Sequence, residues 1–350
     1  MVRLRHKLIG ILVGAMFAAN TACAEPITVP TEWLYLPEHQ VTCEDRGDTL
    51  LLSDCPEMAP STGILYRDTV EGKVRLFLYH VNDTKRPKRI AALITNETDA
   101  PQEIRVTRWA DSEPGYDWVA VGRDTQLTYM KEARTDRLHL APHETRVLTR
   151  TLEDKWIRPQ QLVHTIHDFE TDGAVTVTVL MAPLSGSLAD FARTAEVLPP
   201  DSSHLRGTFV GMDRYLTAQP YDADKGARLI TIGDNSKDIF LRGIDATDGS
   251  PAENYGNYGV VYHVDIPIAG GKANAYFAPQ GGLYAGGVVL TGSFGQERCR
   301  RMPDNKEGYF GVDTITDAAK LGRFHKRIKL YFSPPGASNL PVKLLLIPEE

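Results

Sequence analysis

Glu170-Thr171-Asp172-Gly173, followed by Val175-Thr176-Val177-Thr178-Val179-Leu180, is the stretch from which the fold is read. Apolar and hydroxyl-bearing β-branched residues alternate from Val175 onward, the period of a strand with one buried face. An Asp-Gly pair tolerates the positive φ angles of a type I′ turn, so the phrase predicts a β-hairpin. Working back along the chain, Val74 to Val81 is another strand-like run, closed by Asn82-Asp83-Thr84. Arg89 to Thr95 begins the next, Asn96 to Pro101 reads as a polar hairpin loop, and Glu103 to Arg108 alternates again. Turn clusters spaced about 8–12 residues apart are the mark of an antiparallel β-sandwich, here Ig-like.

Forward of that stretch, Ser187 is placed to cap a short helix with Asp190 three residues on. Leu188, Phe191, Ala192 and Ala195 share one face of it, and Pro199-Pro200 ends it. Strands are then expected at Arg228 to Ile232, Ile239 to Leu241, Gly259 to Val264 and Leu283 to Thr291. A closing hairpin is expected from Lys326 to Phe332, turning through Ser333-Pro334-Pro335-Gly336 and returning through Val342 to Ile347. No β-α-β alternation is present, which argues against parallel-sheet folds. The expected fold is all-β: two antiparallel β-sandwich domains joined by a short helix and a Pro-rich linker. Its parts are a leader over 1–24, an N-terminal segment over 25–60, a first sandwich over 61–184, the helix and linker over 185–205, and a second sandwich over 206–350.

The 350-residue chain is 42% hydrophobic and 24% charged, the profile of a folded protein with enough length for about two domains. Its 39 Lys+Arg stand against 45 Asp+Glu, so no surplus of positive charge is available to track a nucleic-acid backbone. Arg3, Arg5 and Lys7 precede an apolar run from Leu8 to Ala19, and Ala22-Cys23-Ala24 offers the small residues a signal peptidase reads. A secretory leader cut after Ala24 is predicted; the run is too short to span a bilayer, which takes about 20 residues. Lipidation at Cys23 is the alternative. No later window is apolar and long enough for a membrane span. The expected location is outside the cytoplasm: periplasm, cell surface or extracellular space.

Cys43 and Cys55 bracket eleven residues that include Asp45-Arg46-Gly47-Asp48. In an oxidising compartment this pair predicts a disulfide. Cys299 is left over among the cations Arg298, Arg300 and Arg301, which would lower its pKa, but a reactive nucleophile also needs a base beside it, so an unpaired or loosely paired thiol near a strand end is expected.

His204-Leu205-Arg206-Gly207-Thr208-Phe209, Gly243 to Gly249 and Asn254-Tyr255-Gly256-Asn257-Tyr258-Gly259-Val260 together resemble a group of exported bacterial proteins. Some of their relatives carry stalk-like repeats labelled as copper amine oxidase N-terminal domains. The resemblance implies location and architecture, not oxidase chemistry, because Asn254-Tyr255-Gly256-Asn257 lacks the acidic residue of a quinone-forming site.

His164-Thr165-Ile166-His167-Asp168-Phe169-Glu170 contains every common zinc ligand type. On an extended strand, however, side chains three apart point to opposite faces, so no metal is expected there. Tyr221 to Gly226 and Asp245 to Gly249 place acidic oxygens around glycine turns, which leaves calcium as a weak alternative to no cofactor at all. Trp109, Tyr116 and Trp118, in or beside a Pro/Gly loop, and Asn254, Tyr255, Asn257 and Tyr258 combine aromatic faces with amides. Such groups stack on sugars or grip peptides, so these seven are the candidate ligand-binding residues. No nucleophile elbow, metalloprotease motif or phosphate loop is present. The expectation is a non-enzymatic envelope or surface protein that binds a glycan or protein. A carbohydrate hydrolase with a carboxylate pair in a cleft between domains is one alternative, and a passive spacer is another.

Overall fold

Two strands far longer than the usual five or six residues organise the molecule. In the computed structural model, which describes residues 22–303 and 316–349, Gly63–Asn82 and Leu162–Ala182 pair antiparallel from end to end. Along its other edge Leu162–Ala182 takes two partners in succession: Gln102–Asp111 opposite its first half and Arg89–Asn96 opposite its second. Two sequence expectations fall here. Asp172-Gly173 is not a hairpin turn but part of a bulge between Thr171 and Val175, within one continuous strand. Asn96 to Pro101 likewise joins two strands laid end to end along one edge rather than side by side. The bulge is stabilised by polar side chains: Thr171 donates to Gln102 Oε1 at 2.8 Å and Gln102 Nε2 to Asn96 Oδ1 at 2.9 Å. Gly72, with φ +82°, accommodates it on the partner strand.

Strand dominates the described residues, as the all-β reading expected, but the sheets are mixed and open. Eight-, eleven- and five-stranded sheets are present among them. Thr49–Ser53 runs parallel to Gly63–Asn82 and antiparallel to Arg206–Val210, so the eleven-stranded sheet passes straight across the expected linker. Asp213–Ala218 and Val261–Ala269 form a second parallel pair. The largest core cluster also draws on both sides of the linker, with Leu50 and Phe77 joined to Phe209, Tyr262, Phe277 and Phe332. The expected closing hairpin is an arch: Arg327–Phe332 lies in the eight-stranded sheet and Val342–Pro348 in the five-stranded one. Ile239 to Leu241 is loop rather than strand. There the Ile239 carbonyl accepts from Arg214 at 2.6 Å and the Leu241 amide donates to Asn257 at 2.8 Å.

Helix Leu188–Thr194 forms as read, with Ser187 Oγ accepting from the Asp190 amide. A longer helix, Trp118–Lys131, stands in the region read as strands and turns. Its buried side includes Gly122, Thr125 and Gln126, so it shows no clean apolar stripe. Gln126 ties it to the Gly287 and Ser333 carbonyls at 2.9 and 3.1 Å. Any Cβ at Gly122 would lie 2.0 Å from the Gly336 carbonyl oxygen, so the helix docks through a backbone contact. No described helix is long and apolar enough to cross a membrane.

Residues 1–21 of the expected leader lie outside the described residues. Its last three do not: Ala22–Cys23 pairs with Glu297–Arg301, and Ala24 is buried. The expected Cys43–Cys55 disulfide is not formed; both cysteines are free. Cys43 is exposed on the Val41–Arg46 strand, and Cys55 is buried with its thiol donating to Asp201 at 3.3 Å. Cys299 is buried too, and burial raises its pKa against the pull of Lys131.

Candidate functional site

Where the eight-stranded sheet meets the long strands and the Trp118–Lys131 helix, a groove of about 390 Å³ opens. Its floor is set by Arg75, directly opposite Asp168 in the strand register. The guanidinium grips Asp168 with two bonds of 2.7 and 2.9 Å and reaches Asp213 at 3.1 Å. Its remaining capacity goes to the Gly259 carbonyl at 3.1 Å and to the Met212 carbonyl. Tyr129, from the helix, adds a hydroxyl bond to Asp168 at 2.7 Å. Burial works against the charge on Arg75, but Asp168, Tyr129 and Asp213 outweigh it and raise its pKa well above the ordinary value. Burial likewise pushes Asp213 upward, yet the His263 contact and Arg75 hold it below the ordinary carboxylate range.

The wall is a row of rings placed by strand register. Tyr215, His263 and Tyr331 stand opposite one another on Asp213–Ala218, Val261–Ala269 and Arg327–Phe332. Tyr215 and His263 stack at 4.5 Å between centroids and 9° between planes, and His263 lies 5.9 Å from Tyr331. All three rings are half-buried. Arg46 sits 4.4 Å above Tyr215, and the Tyr331 hydroxyl meets Glu297 at 2.8 Å. Arg108 and Lys329 add positive charge to its lining. A glycosidase pair needs one carboxyl that keeps its proton at working pH. Asp168 and Asp213 instead share one buried guanidinium. The groove is chemically equipped to stack and hydrogen-bond.

The seven candidate residues fall elsewhere. Trp109 is half-buried, tilted against His167 at 5.8 Å and covered by Arg134 at 5.2 Å. Tyr116 is exposed in the loop before the long helix, and Trp118 opens that helix with its indole donating to the Gln160 carbonyl at 3.0 Å. Asn254 and Tyr258 close their loop on each other: the Asn254 side chain donates to the Tyr258 carbonyl and accepts from its amide, both at 2.8 Å. Asn257 is buried and donates to the Tyr262 hydroxyl at 2.7 Å; Tyr258 donates to the Ser338 carbonyl at 2.7 Å. Tyr255 remains exposed, edge-on to Phe240.

His164 and His167 point to opposite faces, as the strand reading required. His164 lies against Phe77 and Tyr79 with Nδ1 on the Leu78 carbonyl, while His167 pairs with Asp111 at 2.6 Å. At the two acidic glycine turns, Asp222 is engaged by Lys225 at 3.0 Å. Asp245, Asp248 and His204 bring ligand atoms within 4.8 Å of one another. Arg206, however, already bonds Asp245 at 2.6 Å, and its guanidinium opposes a second cation. Sequence reading missed Arg75, Tyr215, His263 and Tyr331; alternation in Val261 to Asp265 marked His263 as facing away from the core, but only register supplies its neighbours.

No family model matches the chain, and no curated protein matches it. The resemblance noted around His204, Gly243 and Asn254 therefore gains no support. Among solved structures, the PBSX exported protein XepA aligns over 82% of this chain and 86% of its own, at 9% identity and a TM-score of 0.19. A mutant of Bacillus subtilis oxalate decarboxylase aligns over 89% and 79%, at 10% identity and 0.15. The Lactobacillus farciminis oxalate decarboxylase formate complex aligns over 89% and 88%, at 9% and 0.18. Likeness this slight carries no argument about fold or chemistry.

Proposed function

We propose that this is an exported, non-enzymatic protein of the cell envelope or its exterior, and that its groove binds a glycan chain. One observation carries the reading: the ring row Tyr215, His263 and Tyr331 beside a floor of fixed carboxylates. Sugars present apolar C–H faces and a rim of hydroxyls, which half-buried rings and preorganised carboxylates match at small entropic cost. The shared Arg75 argues against the hydrolase alternative, because both aspartates are already committed to one guanidinium. Export rests on the basic and apolar leader reading of residues 1–24.

The test is a glycan array probed with the full chain and with Tyr215→Ala and Tyr331→Ala. A ligand held by the wild type and weakened at least tenfold by each variant is expected. Equal retention by all three proteins, or turnover of the bound sugar, would overturn the reading.

A further inference from the structure

A second groove, of about 610 Å³, lies between the turn that follows Leu290 and the turn from Phe324 to Arg327. Its lining is strongly basic in a chain whose overall balance is −6: Arg298, Arg300, Arg323, Lys326 and Arg327 all contribute. Two of these charges are spoken for. Arg323 is held by Glu349 at 2.8 Å, and Arg327 by Asp265. Among the described residues, Arg298, Arg300 and Lys326 have no carboxylate partner, and the Arg300 Nε is buried without an acceptor. Strand alternation puts Arg298 and Arg300 on the same face. At the mouth stands Phe294, 95% exposed.

We propose that this groove binds an acidic polysaccharide, a sugar chain bearing carboxylate or phosphate groups. Guanidinium forks pair with such groups through two bonds at once, and the exposed ring supplies a stacking surface for the sugar between them. The volume, and the spread of cations from the Glu297–Arg301 strand across to Arg323, Lys326 and Arg327, exceed what one small anion fills. A concave array also suits a chain better than a bilayer, whose headgroups present a broad, nearly flat surface. This reading is independent of the aromatic groove, since it uses none of the three rings in that row.

Binding of the full chain to polygalacturonate and to a phosphomannan is compared with neutral dextran and with phosphatidylcholine vesicles containing phosphatidylglycerol. Capture of at least one acidic glycan is expected, with no retention on dextran or vesicles, and weakening as salt screens the charges. The double variant Arg298→Gln with Lys326→Gln, exposed at both positions, should weaken capture at least tenfold, and Phe294→Ala severalfold. Failure of the wild type to bind either acidic glycan, full retention by the double variant, or vesicle binding of equal strength would overturn the proposal.

Discussion

Ser53 and His80 stand 2.8 Å apart, with the second histidine nitrogen 2.9 Å from the Pro56 carbonyl, and both side chains are fully buried. On paper that is a nucleophile beside an oriented base. The Arg75 groove also gathers acid–base side chains, but it opens to solvent and its carboxylates are fixed by a shared guanidinium. Burial lowers the His80 pKa to about 4, against the help of the Pro56 carbonyl, so the ring is neutral at pH 7 and packed away from any substrate. The difference teaches that residue type alone does not make a site; access and protonation state do. The sealed pair is core, and the open groove is where a ligand can be met.

The comparison is broken most sharply at Arg75. Arg75→Met should cost about 3–5 kcal/mol, because it strands two partly buried carboxylates without their cation. Urea unfolding measures this; a loss below about 1 kcal/mol would mean that the clamp is dispensable. Acidification separates the two regions next. His164, like His80, is lowered to about 4 by burial. Above pH 6.5 both states are neutral and nothing is lost. As pH falls from 6.5 toward 4 the unfolded chain takes up protons that the folded chain refuses, so stability drops by up to about 3 kcal/mol per histidine. Asp213, held low, contributes stability above the unfolded carboxylate pKa that is lost only as pH falls further, through its own depressed value. The sealed region should therefore weaken before the groove, and His80→Gln should flatten the first part of the curve; an unchanged unfolding midpoint between pH 7 and 4.5 would contradict this. The smallest effect sharpens the same contrast. Ser53→Ala leaves His80 Nε2 unpaired at a cost of about 1–3 kcal/mol, with glycan binding at the Tyr215 groove unaltered. Changed binding would make the sealed pair part of the function.

Local pattern carried much of the architecture into view. Strand runs at Val74 to Val81, Arg89 to Thr95 and Arg228 to Ile232 form where their β-rich composition placed them, and Ser187 caps its helix. Asp172-Gly173 misled because a turn preference worth about 1 kcal/mol competes with pairing along strands of 20 and 21 residues, and the pairing prevails. Trp118–Lys131 was hidden because it buries Gln126 and Gly122 against carbonyls rather than an apolar stripe. Asp168 lay in plain sight within a suspicious cluster, yet its partner Arg75 is 93 residues away in the chain.

By itself, then, the order of residues determined that strands would form, which faces of them would be buried, and that His164 and His167 could not grip one ion, since all of these follow from a two-residue period. Which strand lies beside which was decided only in three dimensions. Register brings Tyr215, His263 and Tyr331 into one row and sets Arg75 beneath them. No local rule encodes that juxtaposition, because it arises from core burial summed over strands distant in the chain.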